Sequence, residues 1–201
     1  LSSQLAKVRE YSSAYKGGGR DGLRSFVRLI RLLLGNTICP DISQVQVSAL
    51  GTKAVIGTWD EAPLRLTNDR FLRLTMILRE NKGSNPSVLA YSYQYQLEAE
   101  TATDDWVFRY DFDRFPENPH PPAHLHIRGS LLSEGVLPDK TPLERLHFAT
   151  CRVSLEAVIR VLIEQFGVEP VKPPSLWRPI LDLSERLFHD TLQHLPSGPA
   201  Q

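Results

Sequence analysis

The spacing of apolar residues separates the two ends of the chain from its middle. Between residues 20 and 34 an apolar residue recurs every third or fourth position, and the resulting stripe consists of Leu23, Val27, Ile30 and Leu34. This spacing predicts an amphipathic helix. A shorter polar helix is predicted over residues 2–15, with three glycines at 17–19 as a break between the two. The region 1–36 is therefore predicted to be helical.

From residue 44 the apolar residues recur every second position, which is typical of β-strands. Segments such as RFLRLTMIL, SVLAYSYQYQ and WVFRYDFD alternate in this way, and short turn-rich stretches join them. Short connections favour antiparallel neighbours, so residues 44–128 are predicted to form an antiparallel sheet. Tyr91, Tyr93 and Tyr95 share the apolar face of one strand with two leucines. Core packing is the favoured interpretation of these tyrosines, and stacking on nucleic-acid bases is the alternative.

Residues 150–195 return to helical spacing. One helix is predicted from a capping serine, Ser154, to Phe166, and a second follows a proline-rich spacer and ends near Leu195. The predicted fold class is α+β, with an antiparallel sheet of about five to six strands that the N- and C-terminal helices pack on one face. Residues 1–201 are predicted to form a single domain.

The composition argues against several classes of protein. Apolar residues make up 41% and charged residues 23% of the 201 residues, as in ordinary globular domains. No apolar run approaches the roughly 20 residues that cross a bilayer, and the first residues lack the apolar segment of a signal peptide. Cys39 and Cys151 are the only cysteines, which disfavours a disulfide scaffold or a cysteine-based zinc site. We therefore expect a cytoplasmic protein with no membrane partner.

The formal net charge is zero, but the charges are unevenly distributed. Residues 1–38 contain seven Lys or Arg against two acids, whereas residues 98–118 contain seven acids against two Arg. The basic residues of the predicted second helix form a stripe opposite the apolar one, made of Arg20, Arg24, Arg28 and Arg31. Such a row of guanidinium groups can follow an RNA or DNA backbone. The alternatives are a solvated helix face and a helix that lies across the acidic strands.

Three of the six histidines lie within seven positions, after the strand WVFRYDFD and a proline-rich turn. In a strand through this cluster, alternation directs His124, His126 and Arg128 to one side. A hairpin with the preceding strand adds Arg109 and Asp111 to this side, which is predicted to be exposed. The opposite, buried side is predicted to consist of Trp106, Phe108, Tyr110, Leu125 and Ile127.

Two imidazoles beside guanidinium groups can cleave a phosphodiester without a metal ion. One of His124 and His126 would take a proton from a ribose 2′-hydroxyl, and the other would protonate the leaving oxygen. Arg109 and Arg128 would bind the phosphate. Asp111 would orient one imidazole by accepting its second N–H. No cofactor is predicted for this mechanism.

Two other interpretations of the same residues stay open. An HxH pair on a strand offers two metal ligands on one face, and His120 or Asp111 would complete the set. No HExxH or comparable pattern accompanies the pair. An exposed strand face also carries polar residues that have no special role, and Arg109 with Asp111 can form a plain ion pair.

The order of these motifs resembles that of the TumE-like toxin components of prokaryotic toxin–antitoxin pairs. The matching features are Arg109-Tyr110-Asp111, His120-Pro121-Pro122, His124-Leu125-His126 and the helix from Ser154. The resemblance covers about residues 70–166. It implies a small α+β protein whose activity on RNA or another cellular target is held off by a partner antitoxin.

Two hypotheses about function follow. The first is a toxin that cleaves RNA by acid–base catalysis at His124 and His126, with an antitoxin-like protein as its partner. The second is a non-enzymatic subunit that binds a protein or a nucleic acid within a larger assembly. The docking surfaces of such a subunit would be the basic N-terminal helix and the long C-terminal helix.

Overall fold

The alternating segments in the middle of the chain form one antiparallel sheet, with helices before and after it. The computed structural model describes residues 1–50, 53–58, 62–81, 86–99, 106–117, 120–128 and 148–193. The helices are α1 (Ser2–Lys16), α2 (Gly19–Asn36), α3 (Leu155–Glu164) and α4 (Pro174–Gln193). The strands are β1 (Val45–Leu50), β2 (Lys53–Thr58), β3 (Leu64–Arg65), β4 (Phe71–Arg79), β5 (Ser87–Gln96), β6 (Trp106–Asp113), β7 (Ala123–Ile127) and β8 (Phe148–Ala149).

The strands follow the order β1-β2-β4-β5-β6-β7-β8, and β3 pairs with β4. Every one of these pairings is antiparallel, which confirms the predicted α+β class. The described part of the sheet has eight strands rather than five to six. The two additional strands, β3 and β8, are only two residues long, so they show no periodicity in the sequence. β8 extends the sheet beyond the predicted limit at residue 128.

One face of the sheet carries the core. The tyrosines Tyr91, Tyr93 and Tyr95 are buried there, which confirms their predicted core role. They pack in one cluster with the apolar stripe of α2 and with buried residues of α3 and α4. On β4 the buried and more exposed positions alternate along the strand, because successive side chains point to opposite faces. The polar positions of the strands are thus directed away from the helices.

The break between the first two helices lies where it was predicted. Gly18 and Gly19 have φ angles of 71° and 65°, a region that glycine adopts without the steric cost of a Cβ atom. The chain can therefore turn sharply between α1 and α2. At the other end of the chain, α4 begins with Pro174, a favourable first helical residue because it has no N–H to leave unpaired. Residues 194 and 195, the predicted end of this helix, lie outside the described residues.

A buried carboxyl group joins α3 to α4. Ser154 caps α3 through a hydrogen bond from the N–H of Ala157 to its Oγ, 3.1 Å away. Glu156 follows in the first turn and is 5% exposed, and Ser184 of α4 donates its hydroxyl to Oε1 of Glu156. Burial raises the pKa of Glu156, since the charged form loses its hydration.

We predict that Glu156→Gln changes how stability depends on pH. A carboxyl group whose pKa is raised on folding stabilises the fold below the ordinary glutamate pKa of about 4.3. This contribution is lost as the pH rises through that value toward the folded pKa. The free energy of unfolding is measured in urea for Glu156→Gln and for the wild type. The difference, variant minus wild type, should therefore become more positive between pH 4.5 and pH 8. Glu164→Gln, an exposed position in the same helix, is the control. An equal difference at both pH values would contradict the prediction.

Candidate active site

The pairing of β6 with β7 brings the predicted site residues together. In this register Arg109 lies opposite His126 and Asp111 lies opposite His124. Residues directly opposite in an antiparallel pair point to the same face, so these four side chains share one face of the sheet. It is the face turned away from the helices, because Phe108 and Phe112 on the other side of β6 belong to the core. The predicted division of the hairpin into two faces is therefore confirmed for these four residues. It is wrong for Trp106, which was predicted on the buried side: Trp106 pairs with Gln96 beside a register shift and lies under Arg109, on the side of the histidines.

The predicted exposure of the hairpin is wrong at three residues. His124 and His126 were expected to be exposed, but they are only 4% and 6% exposed. Ile127 was expected in the core and is 38% exposed. Two features that the sequence pattern did not reveal surround the histidines. β8 pairs along β7, with Ala149 opposite His124, and the ring of His120 packs against that of His124 at 4.6 Å between centroids.

The Oδ2 atom of Asp111 is the centre of the cluster. Arg109 donates to it from Nε over 2.7 Å. The Nε2 atoms of His126 and His124 lie 3.4 Å and 3.9 Å from the same oxygen. One carboxylate thus faces one guanidinium and two imidazoles, and the charge of Arg109 offsets that of Asp111. Arg109 also lies 5.8 Å above the ring of Trp106, a cation–π contact that helps to position it.

A backbone carbonyl fixes the proton on His124. Nδ1 of His124 lies 2.8 Å from the carbonyl oxygen of Pro121, and Nδ1 of His120 lies 3.1 Å from the same oxygen. A carbonyl oxygen only accepts hydrogen bonds, so both nitrogens must donate. The neutral His124 ring therefore carries its hydrogen on Nδ1, and its Nε2 lone pair points toward Asp111. The carbonyl of Pro121 therefore orients the ring of His124 by accepting the hydrogen on Nδ1. Asp111 faces the other ring nitrogen, Nε2.

The polar face continues from the cluster onto the neighbouring strands. Gln94 of β5 lies opposite Arg109 and donates to Gln96 over 2.9 Å, and Arg73 of β4 donates to the same Gln96 oxygen, also over 2.9 Å. These residues were not among the predicted site residues. The signal for them was the alternation of polar residues along β4 and β5. Arg128 follows β7, and its backbone N–H donates to the carbonyl oxygen of Val107 over 3.0 Å.

The basic stripe of α2 does not join the cluster. The apolar stripe of α2 packs on the core face of the sheet, so its opposite side, which carries the arginines, faces away from the sheet. Arg20, Arg24 and Arg28 are exposed on that outer side. Arg31 instead donates from Nε to the carbonyl of Val45 over 3.0 Å and so helps to attach α2 to β1. The predicted nucleic-acid surface on α2 and the histidine cluster therefore lie on opposite sides of the sheet.

The cluster also has the composition of a metal site. Asp111, His124 and His126 each offer one ligand atom, and the three atoms lie within 4.8 Å of one another. Two imidazoles and a carboxylate are a common ligand set for divalent metals in proteins. In such sites the second nitrogen of each histidine is held by a carbonyl or carboxylate, as Pro121 holds Nδ1 of His124.

A family model described as Toxin TumE matches residues 51–166. This range is more than half of the chain and contains the whole cluster. The chain belongs to the TumE toxin family. The match begins earlier than the resemblance noted from the motifs and ends at the same residue. Neither a curated protein nor a solved structure matches the chain. Among the helices that the structure describes in this TumE-family protein, none is long and apolar enough to reach across a bilayer.

The contacts with Pro121 predict the tautomers of two histidines in this TumE-family protein. We expect neutral His120 and His124 to carry their hydrogen on Nδ1, because both face the same carbonyl acceptor. Long-range ¹H–¹⁵N correlation spectra distinguish Nδ1–H from Nε2–H rings by the pattern of their cross-peaks. The Nε2–H pattern for His124 would show that the Pro121 contact does not form in solution.

Proposed function

We propose that this TumE-family protein is a toxin that cleaves RNA at the cluster of Asp111, His124 and His126. The observation that carries the proposal is the convergence of two imidazole Nε2 atoms on one carboxylate oxygen, at 3.4 Å and 3.9 Å. The burial of His124 and His126 also supports the proposal, since charges interact more strongly where water is excluded. The side chains of Arg109 and Asp111 are 35% and 21% exposed, so a substrate would approach from their side.

The proposed reaction is acid–base cleavage next to a ribose 2′-hydroxyl. Nε2 of His124, the ring nitrogen that carries no hydrogen in this tautomer, takes the 2′-hydroxyl proton, and the 2′-oxygen then attacks the adjacent phosphorus. His126, protonated and closer to Asp111, gives its proton to the departing 5′-oxygen. Arg109 and Arg128 bind the non-bridging phosphate oxygens and stabilise the charge of the transition state. Asp111 stabilises the imidazolium that each half of the reaction requires.

Toxin activity of this kind requires control in the cell. We infer that an antitoxin partner binds the chain and blocks the cluster, since the family is a family of toxins. The activity must therefore be measured on the chain after any bound partner has been removed in denaturant and the chain has been refolded.

We predict that His124→Asn strongly lowers the rate of RNA cleavage without unfolding the protein. Asparagine retains a donor near the position of Nδ1 for the Pro121 carbonyl but removes Nε2. The cleavage rate of a labelled RNA should fall on the order of a hundredfold or more, the typical contribution of a general acid or base. His126→Asn should have an effect of similar size, and circular dichroism would verify the fold of both variants.

A matched pair of carboxylates on β6 provides the control. Asp111→Asn should lower the cleavage rate because it removes the shared partner of both imidazoles. Asp113 lies two residues further along the same strand and on the same face, outside the cluster. The variant Asp113→Asn should therefore cleave RNA at the wild-type rate. Cleavage by all variants at the wild-type rate, or none by the partner-free wild type, would refute RNA cleavage at this site. A stoichiometric partner that stays bound at high salt, with no turnover by the free chain, supports the second hypothesis, a binding subunit.

A metal-dependent reaction is the second candidate, and the Nδ1–H tautomer of His124 favours it. The Nε2 lone pair of the neutral ring points toward a carboxylate oxygen, an arrangement that a cation between them would stabilise. A tetrahedral metal with bonds of about 2.0–2.1 Å separates its ligands by about 3.4 Å, and the distance from Asp111 Oδ2 to His126 Nε2 is 3.4 Å. A bound metal would occupy both lone pairs, so the two mechanisms exclude each other.

Metal removal distinguishes the two mechanisms. Acid–base cleavage should continue at an unchanged rate in EDTA, whereas the metal-dependent reaction should stop and resume when Mn²⁺ or Zn²⁺ is added. Binding is measured independently of activity by titrating Co²⁺ and recording its visible absorption, which reports coordination number. Under the metal mechanism, the wild type and Asp113→Asn should bind Co²⁺ and Asp111→Asn should bind it much more weakly. No Co²⁺ binding by the wild type would eliminate this candidate.

A further inference from the structure

A cavity of about 110 Å³ lies on the other face of the sheet, between the sheet and the helices. Apolar side chains from α1, α2, α4 and β5 form most of its wall, among them Phe26, Leu29, Leu33 and Leu187. The exposed residue Lys16 also lines it, so the cavity reaches the surface beside the end of α1. We propose that this cavity binds a small anion with an apolar body, of the kind formed by a short branched carboxylic acid or its phosphate analogue.

The size of the cavity fits a body of a few carbon atoms. A cavity needs a volume of about 10–15 Å³ to hold one water molecule, and an apolar cavity of about 150 Å³ holds benzene. The observed volume of about 110 Å³ lies between these values. An apolar wall gives a water molecule few hydrogen-bond partners, so displacing water with a hydrocarbon body is favourable.

The positive charges in the wall of the cavity favour the binding of an anion. Arg114 and Arg152 both line it, and their positive charges act on each other unfavourably. The buried Nε of Arg152 has no hydrogen-bond partner among the described residues, and its guanidinium stacks on Phe112 at 4.4 Å. Burial lowers the pKa of Arg152 because its charge is desolvated. A bound anion would compensate both guanidinium groups.

Within the described wall, Glu156 is the acidic residue, and its carboxyl group is hydrogen-bonded to Ser184 of α4. Burial raises the pKa of Glu156, because desolvation disfavours its charged form. Helix α3 begins at the same wall with residues 153–156, and the N-terminal end of a helix dipole attracts negative charge. The hydroxyl of Tyr91 accepts the N–H of Val153 over 2.7 Å, so its own hydrogen can be donated to a ligand.

Four molecules with one carbon skeleton test the proposal. Isovalerate, isoamyl phosphate, isoamyl alcohol and isoamylamine are titrated separately into the ¹⁵N-labelled full chain, and amide shifts are followed by NMR. At least one anion should give saturable shifts around Tyr93 and Leu155, and the tighter anion identifies the head group. The alcohol should bind on the order of tenfold more weakly, and the amine should not bind. Equal affinity for alcohol and anions, or no saturable shift with any of the four, would overturn the proposal.

Charge-removing variants show whether the arginines are responsible. Arg152→Met keeps the apolar stem and removes the charge, and it should lower the affinity for the tighter anion on the order of tenfold while leaving the alcohol affinity unchanged. Arg114→Met, at the end of β6, is a second variant that avoids the Phe112 stack. Arg28→Met, on the outer side of α2, is the control and should bind like the wild type. Wild-type anion affinity in both cavity variants would overturn the proposal. RNA cleavage is not used as a readout, so this test is independent of the proposed function.

Discussion

The structure depends on the alternation of side chains along strands that helices cover on one side only. Because α1 to α4 all pack on the same face, the apolar positions of β4, β5 and β6 must point toward them. The polar positions are then forced onto the opposite face. The antiparallel register aligns them across strands, so Gln94, Arg109 and His126 lie in one row and Asp111 and His124 in the next. The candidate site is thus a consequence of how the core is buried.

Strand β6 contributes residues to the histidine cluster and contacts the wall of the cavity. Asp111 faces the histidines on one side of the sheet, and the next residue, Phe112, lies under Arg152 on the other. A change in the position of this strand would therefore affect both the cluster and the cavity. On the cluster side, a single carboxylate holds a guanidinium and two buried imidazoles. On the cavity side, two guanidinium groups and the carboxyl group of Glu156, whose pKa burial raises, line a largely apolar space.

The family match covers the part of the chain that holds the cluster, but the core extends beyond it. α1, α2, β1 and α4 lie outside residues 51–166. They nevertheless supply fully buried core residues such as Leu34 and Trp177, and α1, α2 and α4 form much of the cavity wall. The helical ends therefore share one hydrophobic core with the matched region, and the cavity depends on them as much as on the sheet.

Periodicity determined the helical ends, the antiparallel sheet, the core role of the tyrosines and, except at Trp106, the faces of the β6–β7 hairpin. Each of these depends on local geometry that repeats along the chain, and Trp106 is the exception because a register shift interrupts the repeat there. The burial of His124 and His126, the bond from His124 to Pro121 and the separation of the α2 arginines from the cluster depended on the tertiary structure. A two-residue strand such as β8 is too short to show a periodicity in the sequence. The position of a backbone carbonyl, such as that of Pro121, cannot be predicted from a pattern of side chains. Which side of a sheet a helix covers is likewise decided only when the whole chain packs.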